Sequence, residues 1–416
     1  MTPPLQPTVS APTASTAWTP LSGPTRQIAL EVLLDGPLSR SALSQRLGLS
    51  PGSLTRLTKP LLDAGLLVES QPPADADDAP RLGRPAQPLD VDPSSQHFVG
   101  VKLTGDHAYA ALTDLRAGVL AAADAPLGSD DPERVVDVVA RLVDDLVATL
   151  AAVRPSASVT GLGVSLGGHV ERRTDVTLAD HLGWRDLPLA ALLAERTGLR
   201  TVVENDIVAV TEATHWFGEG HGCSRFALVT IGAGIGYGLV VHDEAVESPE
   251  AGLSLLSHFA LAPDGPVGPC GHAGCATAML TTGALVTQAS RHLGRDVTYD
   301  QLLDLAAAGD PVARDLVDAS GRALGRLIAA VANFTMPERV VLGGEGVRLA
   351  EVATDAVQHG LHGDRDPRTR PLDIRLQSPS WRTGHAGPPW SRSRPSCWGA
   401  EELGARKVEA PGAPRP

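Results

Sequence analysis

The chain has 416 residues, 43% apolar and 20% charged, enough for two or three folded domains and too large for a small disulfide-stapled scaffold. Its four cysteines cannot build a disulfide framework, no apolar run reaches the roughly 18 residues of a membrane span, and the N-terminus lacks the basic start and apolar stretch of a secretory signal, so a cytoplasmic protein with no membrane partner is expected. A net charge of −13 excludes a chain-wide nucleic-acid surface; any basic footprint must be local.

Residues 1–22 are Pro, Thr, Ser and Ala, too poor in large apolar groups to pack, and read as a disordered arm. A helical stripe then begins near Thr25, with Ile28, Ala29, Val32 and Leu33 on one face, and stops at Asp35-Gly36-Pro37. Ser39 is placed to cap a second helix carrying Leu43 and Leu47, and Gly48-Leu49-Ser50 makes a tight turn before a third helix that starts at Pro51. On that helix Leu54, Leu57, Leu61 and Leu62 are expected inward, and Ser53, Thr55, Arg56, Thr58 and Lys59 outward. Helix, short Gly turn, helix is the helix-turn-helix pattern. Two extended pieces, LLVESQ and RLGRPAQPLDV, flank an acidic tip and make a wing. Between Gly36 and Pro60 stand Arg40, Arg46, Arg56 and Lys59 and no acid, so the charge sign reverses where a phosphate backbone would need it. The competing reading is a plain three-helix packing module with solvated cations.

From His97 onward strands and helices alternate. HFVGVKL and HAYAALTDL pair as strands, ERVVDVVARLVDDLVATLAAV is an amphipathic helix, LRTVVEND is a strand with a polar tip, IVAVTEATHWFGEG is a helix, and RFALVTIGAGIGYGLVVHDEAV is a hairpin around a Gly-rich turn. No short internal repeat is visible.

Taken together, GLSPGSLTRLTKPLLDAGLL with the wing GRPAQPL, then GLGVSLGGHV, HLGWRDLPLA, VVENDIVAVTEA, LVTIGAGIGYGLVV and VVLGGEGV, resemble the regulators of the ROK family (repressor, open reading frame, kinase) over roughly residues 25–378. The resemblance implies an α/β domain of two actin-like lobes, of the sugar kinase and RNase H-like kind, hinged around a sugar cleft and preceded by an α+β winged helix-turn-helix domain. The expected organisation is an arm at 1–22, the winged helix at 23–92, the kinase-like domain at 93–378 with its lobe boundary near residue 200, and a tail at 379–416.

By the same resemblance Asp206 occupies the family's base position, Asn205 binds a sugar hydroxyl, and His258 grips the sugar. The Gly232, Gly234 and Gly236 turn and Gly343-Gly344 lie on the phosphate side, although glycine serves any tight hairpin. Two departures count against phosphoryl transfer. Where family kinases open with Asp-x-Gly-Gly-Thr, this chain has Lys102-Leu103-Thr104-Gly105-Asp106, and where they carry Glu-x-Gly-His it reads Leu255-Leu256-Ser257-His258. Losing one charge-assisted hydrogen bond costs about 1.5–3 kcal/mol, so monosaccharide affinity should fall or the preferred ligand should differ; with both departures little or no kinase activity is expected, ATP and Mg²⁺ are not expected as cofactors, and Asp206 is expected to be a vestigial base. The family's structural zinc is held by one His and three Cys; here Gly268 replaces the first Cys, while His258, Cys270 and Cys275 remain. His272, not a family ligand, offers a fourth donor for a tetrahedral site, the alternative being a metal-free hairpin with two buried thiols.

After Gln377 no helical period survives, where the family closes with an Ala-rich helix; read in a shifted frame, the stretch gives Ala- and Val-rich text, so a frameshift near Ser380 is the hypothesis, which resequencing the coding DNA would refute by showing a continuous frame.

The function expected is a sugar-responsive transcriptional regulator, a repressor by family habit, acting as a homodimer or homotetramer on a double-stranded operator. Ser50, Ser53, Thr55 and Arg56 would face base edges, Lys59 a phosphate, and Arg84 of the wing the minor groove. The alternatives are an ATP-dependent sugar kinase with a fused DNA-binding arm, and a regulator that binds DNA constitutively without a ligand.

Overall fold

The computed structural model describes residues 21, 23–70, 87–246, 248, 250 and 255–377. The wing tip with Arg84, Cys397 and the tail from residue 378 lie outside these residues. Internal contacts divide the chain into two units, up to Ser95 and from Gln96.

The first unit holds α1 (Gly23–Asp35), α2 (Arg40–Leu47), α3 (Pro51–Asp63) and a two-stranded antiparallel ribbon, β1 (Leu67–Glu69) with β2 (Leu89–Val91). Local chemistry sets the helix ends. The Ser39 hydroxyl accepts the Ala42 amide at the start of α2, Gly48 ends that helix at φ +62°, and Ser50 caps α3 with Pro51 in its first turn. Ile28, Val32, Leu43, Leu54, Leu61, Leu67 and Leu89 close the core. One expectation fails on α3: Thr58 is 1% exposed, because spacing of three and four residues puts 54, 58 and 61 on the inward face while Leu57 and Leu62 only flank it. Its hydroxyl is satisfied by the Thr55 carbonyl at 3.3 Å.

The second unit opens with β3 (His97–Leu103), β4 (His107–Asp114) and β5 (Val119–Pro126), followed by α4 (Pro132–Val153) and β6 (Val159–Leu166). A small antiparallel sheet of β7 (His169–Glu171), β8 (Asp175–Ala179) and β9 (Trp184–Leu187) comes next, then α5 (Leu189–Thr197) and β10 (Thr201–Asn205). The second lobe starts with α6 (Asp206–Phe217), β11 (Arg225–Ile231), β12 (Ile235–Val241) and β13 (Glu244–Ala245). It continues with α7 (Ala276–Leu280), α8 (Thr282–Leu293), α9 (Tyr299–Ala307), α10 (Pro311–Thr335), β14 (Arg339–Gly343), α11 (Arg348–Val352), α12 (Thr354–Gly363) and β15 (Asp373–Leu376).

The two main sheets share one plan. The first runs β10-β6-β3-β4-β5 and the second β15-β14-β11-β12-β13; in each, the first three strands in sequence form an antiparallel meander and two later ones add in parallel beside the first. This duplication is the two-lobed actin-like architecture that the resemblance implied. Each sheet has its own core: Val99, Val101, Leu103, Leu112 and Leu162 under α4 in the first lobe, Val229, Ile231, Val340 and Leu342 under α10 in the second.

Helix α6 joins the lobes. It begins at the carboxyl end of β10, and Gly236 and Gly238 of β12 let it approach: a Cβ at either would run into Ile207 or Thr211. Gly236, expected from the resemblance on the phosphate side, leaves room here for the side chains of Ile207 and Thr230.

Candidate functional site

Charge on the first unit is redistributed by folding. Arg40 pairs with Glu69 at 2.7 Å and donates to the Gln87 carbonyl at 3.3 Å, while Arg46 pairs with Glu31 at 3.0 Å and with Asp35. The acid-free window of the sequence therefore receives its counter-ions from α1 and β1. Among the described residues no carboxylate pairs with Arg56 or Lys59, which stand exposed on α3. The Ser50 hydroxyl accepts the Ser53 amide at 3.2 Å and donates to the Ser53 hydroxyl at 3.0 Å, and Thr55 donates to the Pro51 carbonyl at 2.9 Å. These hydroxyls fix the first turns of α3 and keep lone pairs for a further partner. A recess of about 470 Å³ between α2 and α3 also brings Ser44 and Gln45 beside Thr55, two polar residues that sequence reading did not single out.

In the second unit, chemistry gathers at the carboxyl ends of the parallel strands β3, β6 and β10, the end of such sheets where ligands bind. Asp206 is the first residue of α6, and Lys102 on β3 reaches it with Nζ 3.5 Å from Oδ2. Lys102 and Asp206 thus form an ion pair at this end of the sheet. His181 joins them: a Cβ at Gly167 would lie 3.3 Å from its Cε1 and 3.9 Å from Asp206 Oδ2. Burial pushes the His181 imidazole below the ordinary histidine value, against the pull of Asp206 and Asp180 and with a smaller push from Lys102. Asn205 is 4% exposed; its side-chain oxygen caps α6 by accepting the Ile207 and Val208 amides, and its Nδ2 donates to the Gly168 carbonyl at 2.6 Å. These structural bonds occupy most of the polar capacity expected to meet a sugar.

On the other lobe, the Ala233 amide in the Gly-rich turn donates to Glu345 at 3.1 Å. Gly344, at φ +89°, presses against the backbone of Ile231, so its glycine is required by close packing; Gly343 and Gly234 leave room.

The third cluster lies after the short turn Leu255–His258. Two bridges, Ala260 with Cys275 and Val267 with Ala273, make a small hairpin that carries His272 to His258, their Nδ1 atoms 3.3 Å apart. Cys270 and Cys275 have their sulfurs 3.3 Å apart, and donor atoms of His258, Cys270 and His272 all lie within 4.8 Å of one another. Tetrahedral zinc with bonds of about 2.0–2.3 Å spaces its ligand atoms by roughly 3.3–3.8 Å, a spacing that the His258–His272 and Cys270–Cys275 pairs approach, while Cys275 stands outside the group of three donors that lie within 4.8 Å of one another. A hydrogen bond with the His272 backbone, then the Cys275 thiol, holds the Cys270 thiol below its ordinary value. A Cβ at Gly268 would meet the Cys275 sulfur at 3.4 Å, so the vacated cysteine position does border this cluster. Cys223 is remote and buried, its thiol pushed up by burial.

A model of the ROK family matches residues 98–362. This chain belongs to the ROK family. It is 24% identical over 337 residues to the DNA-binding transcriptional repressor Mlc of Escherichia coli K12, covering 78% of this chain and 82% of that protein. It is 25% identical over 335 residues to the N-acetylglucosamine repressor of Escherichia coli O157:H7, covering 78% and 80%. The crystal structure of a ROK family transcriptional regulator homologous to E. coli Mlc superposes with a TM-score of 0.71 at 25% identity, covering 85% of this chain and 91% of that one.

Within this ROK domain, His181 and His215 share one pH signature. Burial is the largest influence on both and depresses both from 6.5, so unfolding binds protons below about pH 6.5 and stability should fall as pH drops through that window. Asp206, Asp180 and Lys102 face His181, and Asp243, His221 and Glu212 face His215. Thermal melts between pH 7.5 and 5 should show a shallower loss in His215→Gln, whose parent side chain is only 13% exposed, than in the unmodified chain; parallel curves would refute the assignment.

Proposed function

We propose that this ROK protein is a sugar-responsive, DNA-binding transcriptional repressor, cytoplasmic and acting as a homodimer or homotetramer, whose kinase-like domain binds a ligand without phosphorylating it. The observation that carries the non-catalytic part is the Lys102–Asp206 pair: where family kinases place a carboxylate this chain places an ammonium, and its Nζ stands 3.5 Å from the Asp206 oxygen that a hydroxyl proton would have to reach. The DNA part is supported by the helix-turn-helix and ribbon with Arg56 and Lys59 unpaired among the described residues, and by repressor relatives. N-acetylglucosamine, named in one relative, makes a hexose or amino sugar the first ligand class to try. Ligand closure of the two lobes would re-space the winged helices of a dimer, with a coupling of about 1–3 kcal/mol.

The test joins a gel shift, on a fragment upstream of the protein's own gene and with a panel of hexoses and amino sugars, to an ADP-release assay on the same samples. Sugar-dependent loss of the shifted band without ATP consumption is the expected result. A chain that ignores the fragment at low salt, or consumes ATP with a hexose, would overturn the proposal.

A zinc ion held by His258, Cys270 and His272, with Cys275 beside Cys270 as the fourth donor, is part of the same reading, as a structural site tying the loop of His258 to the hairpin. When bound, it would supply rigidity and no chemistry. The purified protein should contain about one zinc per chain, and His272→Ala should lose most of it while Cys223→Ser keeps it. Metal analysis finding none in the unmodified chain would remove zinc from the proposal.

A further inference from the structure

The Gly-rich turn at Gly232–Gly236 offers backbone N–H groups, and such turns bind anions because several peptide dipoles converge there. Here the anion is internal. The Ala233 amide donates to Glu345 Oε1 at 3.1 Å, and a Cβ at Gly232 would lie 3.2 Å from the Glu345 carboxyl carbon. The loop that bears Glu345 is pinned on both sides. The Gly346 amide donates to the Ile231 carbonyl at 2.8 Å, the Tyr299 hydroxyl donates to the Gly346 carbonyl at 2.8 Å, and Gly344 is packed on the backbone of Ile231. At the far end of the same turn Gly236 abuts Ile207, the residue after Asp206. The exposed carboxylate thus takes the Ala233 amide of a turn whose Gly232 amide is already spent on the Gly234 carbonyl and whose far end adjoins the candidate ligand site.

A phosphate group approaching Ala233 must displace a charge-assisted hydrogen bond and then stand beside the displaced carboxylate. A neutral sugar meets neither obstacle. We infer that Glu345 is a specificity-determining residue that occupies the turn's anion cradle and excludes nucleotide polyphosphates from the second lobe, leaving the domain to uncharged ligands. This rests on the reading of the domain as a ligand-binding one.

The experiment is isothermal titration of the full chain with inorganic tripolyphosphate and with ADP. Glu345→Ala should bind tripolyphosphate about tenfold or more tightly than the unmodified chain, and Glu345→Gln should show part of that gain, since its amide oxygen still reaches Ala233 without the charge. Should the alanine variant fail to fold, the isosteric glutamine variant decides alone. Variants that melt like the unmodified chain and bind tripolyphosphate no better overturn the inference, as does an unmodified chain that binds it equally well. Operator binding is read in the same preparations. Its absence from the unmodified chain would sink the proposed regulator while leaving the role of Glu345 intact.

Discussion

Replacing Arg56 with alanine should weaken binding to the upstream fragment by roughly 10- to 100-fold at fixed salt, the range expected for one arginine reading a guanine edge. The structure sharpens this into a contrast. Arg46, which shares the acid-free window, is engaged by Glu31 and Asp35, so Arg46→Ala should change stability by no more than about 1 kcal/mol and leave affinity close to that of the unmodified chain. Lys59→Ala should weaken all sequences alike and reduce the salt slope by about one. A gel-shift titration decides: Arg56→Ala binding as tightly as the unmodified chain would remove α3 from the DNA interface.

The second large effect concerns the crossing of α10 and α12. A Cβ on Gly325 would run into the carbonyl oxygen of Val357, and one on Gly360 into that of Arg322, so backbone meets backbone with no flexible side chain to yield. Gly325→Ala should therefore cost about 3 kcal/mol or more, at the upper end for overpacking, because the whole second-lobe core must part to admit one methyl group. Gly283→Ala is the control. A Cβ there meets nothing within 4 Å on helix α8, and alanine should stabilise by up to about 1 kcal/mol. Denaturant titration showing a loss under about 1 kcal/mol for Gly325→Ala would refute the close-packed crossing.

What could be read in the sequence was whatever depends on near neighbours. The caps at Ser39 and Ser50, the left-handed turn at Gly48 and the helix beginning at Pro51 are fixed within a few residues, and so are the strand ends around Asn205 and the Gly-rich hairpin. What could not be read depends on distance along the chain. Lys102 and Asp206 stand 104 residues apart, Ala233 and Glu345 112 apart, and no spacing rule joins them. The basic stretch looked unopposed because its acids, Glu31, Asp35 and Glu69, fall outside the window. The duplicated strand order left no repeat in the text, since a sheet constrains only the alternation of buried and exposed positions and leaves the residue types free. Thr58 was misplaced for a simpler reason: helical phase outweighed polarity once its hydroxyl found a carbonyl.

The seating of α6 bears on how an effector's arrival is transmitted. Its first turn is moored to one lobe, where Asn205 ties the end of β10 to Gly168, while Ile207 and Thr211 are wedged against the glycines of β12 in the other. On the proposed reading, a molecule that engages Asp206 would bear on a helix fastened at its first residue to one lobe and lodged along its length in the other, with the Asn205 cap as the point between them.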